Sequence, residues 1–153
     1  MASSFTLYSI FRKYIMDGTL DLDTNTIKLA LVTSDYVFDA SHAVLADVLS
    51  SPSPEVVAVA SPDNGYTAGG KELTGCAVTK IDSPSAGKFD ANDVTWIALT
   101  ATFRYGILHA VGTLNGIVNP LIGCILYDTE PADIVVAGVD WTTRWNASGI
   151  ITD

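Results

Sequence analysis

The glycine-rich segment 65–71 is the part of the sequence whose residue types and spacing come nearest to a ligand-binding motif. It is Gly-Tyr-Thr-Ala-Gly-Gly-Lys and satisfies the G-x-x-x-x-G-K portion of a phosphate-binding loop. That loop also needs a Ser or Thr after the lysine, to hold magnesium, and a following helix that faces the phosphates. Glu72 stands at the magnesium position, and residues 73–81 have the pattern of a strand. We therefore predict a glycine-rich turn into a strand, with Tyr66 anchoring the loop, and no nucleotide binding.

Two clusters of acidic and amide side chains have the ligand types that bind cations. Asp21, Asp23 and Asn25 have the spacing of the first three ligands of a calcium loop. The sequence has threonine where such a loop requires glycine, and valine where it requires a bidentate glutamate. The second cluster, residues 90–93, directly precedes a predicted strand. For both clusters we predict bonding of side chains to turn backbone and no metal site, with weak calcium binding as the alternative for the first.

The histidines and cysteines do not form a recognisable catalytic or zinc-binding pattern. Neither His42 nor His109 lies in a nucleophile motif, so we expect His42 to face solvent and His109 to be a hydrogen-bonded core residue. Cys76 and Cys124 have no C-x-x-C or C-x-x-H companion and are predicted to be buried free thiols. A pair of carboxylates that hydrolyses glycosides remains a formal alternative, because a chain with 17 acidic residues always allows some pair. The sequence otherwise predicts no enzyme, no catalytic residue and no cofactor.

The elements that position these residues begin with a predicted amphipathic helix over residues 1–18. Ser3 or Ser4 can cap this helix, and Gly18 ends it. Its apolar residues recur at spacings of three and four: Phe5, Tyr8, Phe11 and Ile15. Because an amphipathic terminal helix must cover its apolar face, we predict that these four residues lie at an interface. The interface is either with the protein's own body or with a second copy in a dimer or trimer.

The rest of the chain, residues 19–153, is predicted to be a β-rich body. One short helix is expected over residues 41–49, before a Ser/Pro-rich stretch. Trp141 and Trp145 alternate with polar residues in the last strand, so we predict that both are core residues. The predicted strands, each bounded by turn residues, are 27–33, 55–60, 71–82, 94–103, 106–112, 121–128, 134–136 and 139–146. The pattern predicts one domain over 1–153, mainly β, folded as an antiparallel β-sandwich of which a jelly roll is one form.

The charge composition limits the kinds of partner. The chain has 8 Lys and Arg against 17 Asp and Glu, a net charge of −9 that disfavours binding to nucleic acid or to anionic membranes. Charged residues make up only 16% of the chain, less than the usual quarter, which suggests that a partner covers part of the surface. The sequence has no apolar run long enough to span a membrane, and Arg12 and Lys13 interrupt the N-terminal apolar stretch. We therefore expect no secretory signal and no membrane segment.

Five segments without catalytic residues carry a family resemblance. They are LDLDTNTIKLALV at 20–32, GYTAGGK at 65–71, FDANDVTW at 89–96, PL at 120–121 and WNASGI at 145–150. Together they resemble a family of small virion proteins of tailed bacteriophages, over nearly the whole chain. The family pattern has an acid where Asn92 stands, and the match over residues 36–40 is loose.

The resemblance implies a structural role rather than catalysis. Its most direct implication is a capsid decoration or cement protein on the outer surface of the head, with the major capsid protein as partner and assembly in the bacterial cytoplasm. An acidic protein suits the capsid exterior better than contact with packaged DNA, because like charges repel. The alternatives are a tail or fibre-associated structural protein, and a carbohydrate-binding β-sandwich that uses Trp141 or Tyr105.

Overall fold

The computed structural model describes residues 3–50, 53–83, 85–130 and 132–153. The protein is mainly β, with 46% of residues in strands and 7% in two short helices, and its sheets are antiparallel, as predicted. In chain order the elements are β1 (Ser4–Leu7), α1 (Phe11–Met16), β2 (Ile27–Val32), α2 (Leu45–Val48), β3 (Lys71–Glu72), β4 (Ala77–Asp82), β5 (Ser85–Asp90), β6 (Val94–Phe103), β7 (Tyr105–Ala110), β8 (Thr113–Leu114), β9 (Ile117–Val118), β10 (Leu121–Leu126), β11 (Ile134–Thr143) and β12 (Ile151–Thr152).

A five-stranded sheet in the order β1-β10-β7-β2-β3 forms the centre of the fold. Strand β2 is buried on both faces, which explains its nearly continuous apolar sequence IKLALV. Leu29 and Leu31 point into one core cluster, whereas Ala30 and Val32 belong to a second cluster on the opposite face. The central sheet is therefore covered on both sides.

Different elements cover the two faces of the central sheet. The larger core lies under the β6–β11 pair and the three-stranded sheet β12-β5-β4, and includes Trp96, Phe103 and Phe89. The smaller core contains Tyr36, which follows β2, and Val48 from α2. Among the described residues, no helix has the length and apolarity needed to cross a membrane.

The N-terminal helix predicted over residues 1–18 is wrong in its first half. Residues Ser4–Leu7 form strand β1, which pairs antiparallel with β10, and the helix spans only Phe11–Met16. The ring of Phe5 lies over Gly123, where an added Cβ would come within 2.6 Å of a ring carbon. A short helix is only marginally stable by itself. The hydrogen bonds between β1 and β10 and the contact of Phe5 with Gly123 therefore favour a strand over a helix for residues 4–7.

Several predicted boundaries in the body also differ. The second helix has only one turn, and the predicted strand 55–60 forms only isolated bridges at its two ends. Strand β5 was not predicted, the predicted strand 71–82 is split into β3 and β4, and the last two predicted strands form one strand, β11. The bounds of β6, Val94–Phe103, are confirmed. The predicted and observed bounds differ where hydrogen bonding between strands outweighs the local preference of turn residues.

Candidate functional site

The glycine-rich loop at 65–71 is held by a hydrogen-bond network inside the protein. The Tyr66 hydroxyl donates to Glu55 Oε1 at 2.7 Å and accepts from the Leu31 N–H at 3.1 Å. The Gly69 N–H donates to the same Glu55 oxygen at 2.6 Å, and Lys71 Nζ donates to the Thr95 carbonyl. Tyr66 thus anchors the loop as predicted, and β3 follows it. The Gly69 and Gly70 N–H groups and the lysine ammonium, which a phosphate-binding loop would offer to a ligand, are bound to protein oxygens here.

His109 secures the same loop from the central sheet. Its Nε2 lies 3.0 Å from the Gly69 carbonyl oxygen, and its Nδ1 lies 3.3 Å from the Ala110 carbonyl oxygen. A neutral imidazole donates from only one nitrogen, and the shorter contact assigns the proton to Nε2. The residue is almost fully buried, and this burial lowers the pKa of the His109 imidazole. The prediction of a hydrogen-bonded core histidine is confirmed.

The His109 imidazole makes stability depend on pH. Since its pKa is lowered in the folded protein, the unfolded chain binds a proton first as the pH falls below about 6.5. The contribution of the neutral imidazole to the unfolding free energy is therefore complete above about pH 6.5 and is lost as the pH falls through the folded-state pKa. We expect the unfolding free energy to decline by up to about 1.4 kcal/mol per pH unit in this window.

Urea denaturation from about pH 7 to about pH 5 measures this effect. His109→Gln is the control, because its amide keeps a donor for the Gly69 carbonyl but does not titrate. The pH slope in this window should be smaller in the variant. An unchanged slope would contradict the assignment to His109.

The other titratable candidates are also used structurally. His42 is only partly exposed and lies 3.2 Å from the Tyr36 hydroxyl, so the prediction that it faces solvent is wrong in part. The ring of Tyr36 covers it, at a centroid distance of 5.8 Å. Cys124 is buried, and burial raises the pKa of its thiol to about 12. Cys76 is free but only half-buried, so its predicted burial holds only in part.

The first acidic cluster forms a turn, as predicted, whereas residues 91–93 of the second form none, and Asp93 Oδ1 accepts the N–H of the distant Trp145 at 3.0 Å. Asp21 Oδ1 accepts the Asp23 N–H at 3.0 Å, and Asn25 Oδ1 accepts the Asp21 N–H at 2.8 Å. Asp90 Oδ1 likewise accepts the N–H of Ala91 at 2.9 Å. Within the described ranges, no three His, Cys, Asp or Glu side chains are grouped so as to hold a metal ion.

The four residues predicted to form an interface have separate environments. Tyr8 and Phe11 are buried in the protein's own cores, on opposite faces of the central sheet. Phe5 is partly buried against the larger core, and Ile15 is exposed beside a groove between α1 and the three-stranded sheet. These residues therefore do not form one face, because Phe5 belongs to a strand. Their use in contact with a second copy stays a prediction.

A surface that was not predicted lies on the outside of β6 and β11. Val135, which pairs with exposed Thr102, is 72% exposed, and Ile97 on the neighbouring strand is 61% exposed. Val139 is also exposed but belongs to the other side of the ladder, because it pairs with buried Leu99. Val57 and Val59 lie beside β6, because Asn64 bonds to both of their carbonyls and to the backbone of Thr100 in β6. We call this surface the aliphatic face: Val57, Val59, Ile97 and Val135.

The aliphatic face has very few charged side chains. Asp140 is the only charged residue in β6 and β11, and its Oδ1 accepts the Ala98 N–H at 2.9 Å. The remaining exposed positions of the two strands are mostly Thr and Ala. Depletion of charge around exposed aliphatic side chains is typical of the centre of a protein–protein interface. Sequence reasoning missed this face, although the absence of Lys and Glu from both strands signals it.

A second open feature, the tryptophan cavity, has a volume of about 590 Å³ and is lined by Trp141, Trp145 and Arg144 among others. The Trp141 ring packs edge-on against Phe103 and Tyr127, with centroids 5.4 and 5.8 Å apart. Both tryptophans are only partly buried, so they lie at the margin of the core and not within it as predicted. The cavity thus combines aromatic surface with polar groups.

No family model matches the chain, and neither the curated proteins nor the solved structures include a significant match.

Proposed function

We propose that this chain is a non-enzymatic structural protein of a bacteriophage virion, a capsid decoration protein that binds the outer surface of the head. The observation that carries the proposal is the aliphatic face, in which four aliphatic side chains are exposed on a surface with almost no charge. The phage context comes from the sequence segments that resemble small virion proteins. The partner is the major capsid protein.

The physical requirements of a decoration protein agree with these features. Such a protein binds by burying surface, and one charge-depleted aliphatic face supplies apolar area for that contact. The net charge of −9 favours the outer surface over contact with packaged DNA. In this proposal the central sheet and the β6–β11 pair are the two layers of an antiparallel β-sandwich, and the protein is a dimer or trimer.

Labelling of the virion tests the location. Cryo-EM or immunogold labelling of the phage that encodes the chain should show regular density or label over the head. Label confined to the tail would reject the proposal in favour of a tail or fibre-associated protein.

Lysine substitution tests the aliphatic face itself. Val135→Lys and Ile97→Lys each place an unpaired charge at the proposed contact, where desolvation opposes binding. We expect each to weaken binding to heads that lack the protein by at least about tenfold, with little change in stability. Sedimentation of the purified variants with such heads measures the effect.

Val118→Lys is the matched control. Val118 is a strand residue that is 56% exposed, close to the 61% of Ile97, but it lies in the separate β8–β9 pair. This variant should bind normally. Equal losses in all three variants would show a general charge effect and contradict the assignment.

A carbohydrate-binding module is the second candidate, because the tryptophan cavity offers the aromatic surface on which sugars stack. Asn146 and Thr142 add polar groups to its wall. A glycan array tests this function. Saturable binding that is lost in Trp141→Ala, without label on the virion head, would favour it over decoration.

A further inference from the structure

Strand β1 has an edge without a strand partner among the described residues. The Tyr8 N–H donates to the Ile122 carbonyl at 3.1 Å, which continues the ladder between β1 and β10. Because successive residues of a strand point their main-chain groups in opposite directions, Ser4, Thr6 and Tyr8 face β10. The N–H and C=O groups of Phe5 and Leu7 therefore point away from the sheet. Nothing in the described part of the chain bonds to them.

An open groove runs along this free edge. The tryptophan cavity and a second cavity of about 410 Å³ share Phe5 and Ile150 in their walls, so they meet beside β1. Together they extend along residues 3–7, and the C-terminal residues 144–152 supply most of the opposite wall. We call this feature the β1 groove. The edge is thus accessible along its length, whereas native proteins usually cover or blunt such edges.

The shape of the β1 groove suits an extended chain. A strand added at about 4.8 Å from β1 would bond to the main-chain groups of Phe5 and Leu7. Alternate side chains of that strand would point toward the cavity, where Trp141 and Trp145 offer aromatic contact. Saccharides and other compact ligands would leave the free main-chain edge unused.

The charges of the β1 groove indicate the sign of its occupant. Two of the three arginines in the chain, Arg12 and Arg144, line it, although the protein is strongly acidic. Arg12 is paired with Asp153 at 3.0 Å, and Asp140 already accepts the Ala98 N–H. Arg144 is exposed and has no ion pair among the described residues. Asp140 keeps its negative charge in this hydrogen bond, so the groove offers one arginine, Arg144, that is free to pair with a carboxylate of the occupant.

We propose that the β1 groove binds an extended, acidic segment of a partner protein, which adds a sixth strand to the central sheet beside β1. The inference rests on the proposed function, because it assigns the segment to the protein on which this chain assembles. The segment carries apolar side chains that alternate with at least one Asp or Glu. The apolar side chains contact the tryptophans, and the carboxylate pairs with Arg144.

Two synthetic peptides serve as probes for the purified protein. They are acetyl-Thr-Val-Glu-Val-Glu-Val-Thr-amide and its analogue with both Glu replaced by Lys. Hydrogen exchange of the Phe5 and Leu7 amides should slow saturably with the acidic peptide. The Lys peptide should bind at least about tenfold more weakly. No protection of these amides at millimolar acidic peptide would overturn the proposal.

Two substitutions make the test specific. Arg144→Glu changes an exposed side chain and should reverse the preference between the peptides. Leu7→Pro removes an outward N–H while leaving the ladder to β10, and should abolish binding, whereas Leu7→Ala keeps the N–H and should bind. If Leu7→Pro fails to fold, Arg144→Glu alone decides, and an unchanged peptide preference would overturn the proposal.

The outcomes separate this inference from the proposed function. Head density without an added strand beside β1 would retain decoration and reject the inference. If the protein binds the peptide but is absent from the head, the peptide-binding groove is supported and the capsid-decoration function is rejected. Binding of a saccharide in the tryptophan cavity, without protection of Phe5 and Leu7, would assign the groove to glycans and reject a peptide partner.

Discussion

Gly70→Ala is expected to destabilise the protein by about 3–5 kcal/mol, from backbone strain together with steric overlap. The φ angle of Gly70 is +89°, a conformation that alanine rarely adopts. A Cβ at this position would also overlap the Leu29 carbonyl and lie 2.6 Å from Ala30 Cα. Both neighbours belong to buried strand β2, so neither can move without disturbing the two cores. Urea or guanidinium denaturation gives the loss in unfolding free energy.

Gly69→Ala is the control that separates strain from overlap. Gly69 has nearly the same φ angle, +87°, but a Cβ there would meet no atom within 4 Å. We expect a loss of only about 1–2 kcal/mol, the cost of the left-handed conformation alone. Equal losses in the two variants would contradict the packing argument. This pair therefore measures how closely the glycine loop approaches β2.

Phe103→Ala is expected to cost about 3–5 kcal/mol, the usual range for removing a buried aromatic side chain. Phe103 is fully buried and packs edge-on against Tyr127 and Trp141, with centroids 5.3 and 5.4 Å away. Tyr127 follows β10 of the central sheet, and Trp141 belongs to β11. Loss of this ring should loosen β6 and β11 from the central sheet and thereby weaken binding through the aliphatic face.

The measurement combines denaturation with hydrogen exchange of the β6 and β11 amides. Val135→Ala is the control on the same pair of strands, since its exposed side chain contributes little to the core. It should change stability by less than about 1 kcal/mol. A similarly small loss for Phe103→Ala would show that this aromatic cluster does not hold the two strands in place. Either of the two large losses would remove much of the roughly 5–15 kcal/mol that stabilises a typical domain.

Local patterns in the sequence predicted the features that depend on neighbouring residues. The bounds of β6 follow from its β-branched and aromatic residues between turn residues. The turn at Asp21 and the bond of Asp90 to the Ala91 N–H follow from side-chain bonding to nearby backbone. The anchoring role of Tyr66 was also predicted. Its partner Glu55 was not, because two residues separated along the chain meet only when the loop folds over β2.

The candidate surfaces could not be predicted in the same way. The aliphatic face joins β6 to β11 and to the segment around Asn64, and only the β6–β11 ladder and the hydrogen bonds of Asn64 bring these elements side by side. The β1 groove depends on which edge of the central sheet remains open. That order follows from the pairing of the whole sheet, which a single segment does not encode.

The first residues of the chain show which features local sequence determines and which depend on tertiary contacts. Spacings of three and four from Phe5 to Ile15 predict a helix, and the helix does form from Phe11. Whether Phe5 joins it depends on Ile125, its ladder partner in β10, and on the space over Gly123. By itself the sequence determined the mainly β class, the turns and the acidic charge, since these depend on composition and local bonding. Tertiary structure decided strand β1 and its open edge, because a strand gains its hydrogen bonds only from a partner brought close by folding.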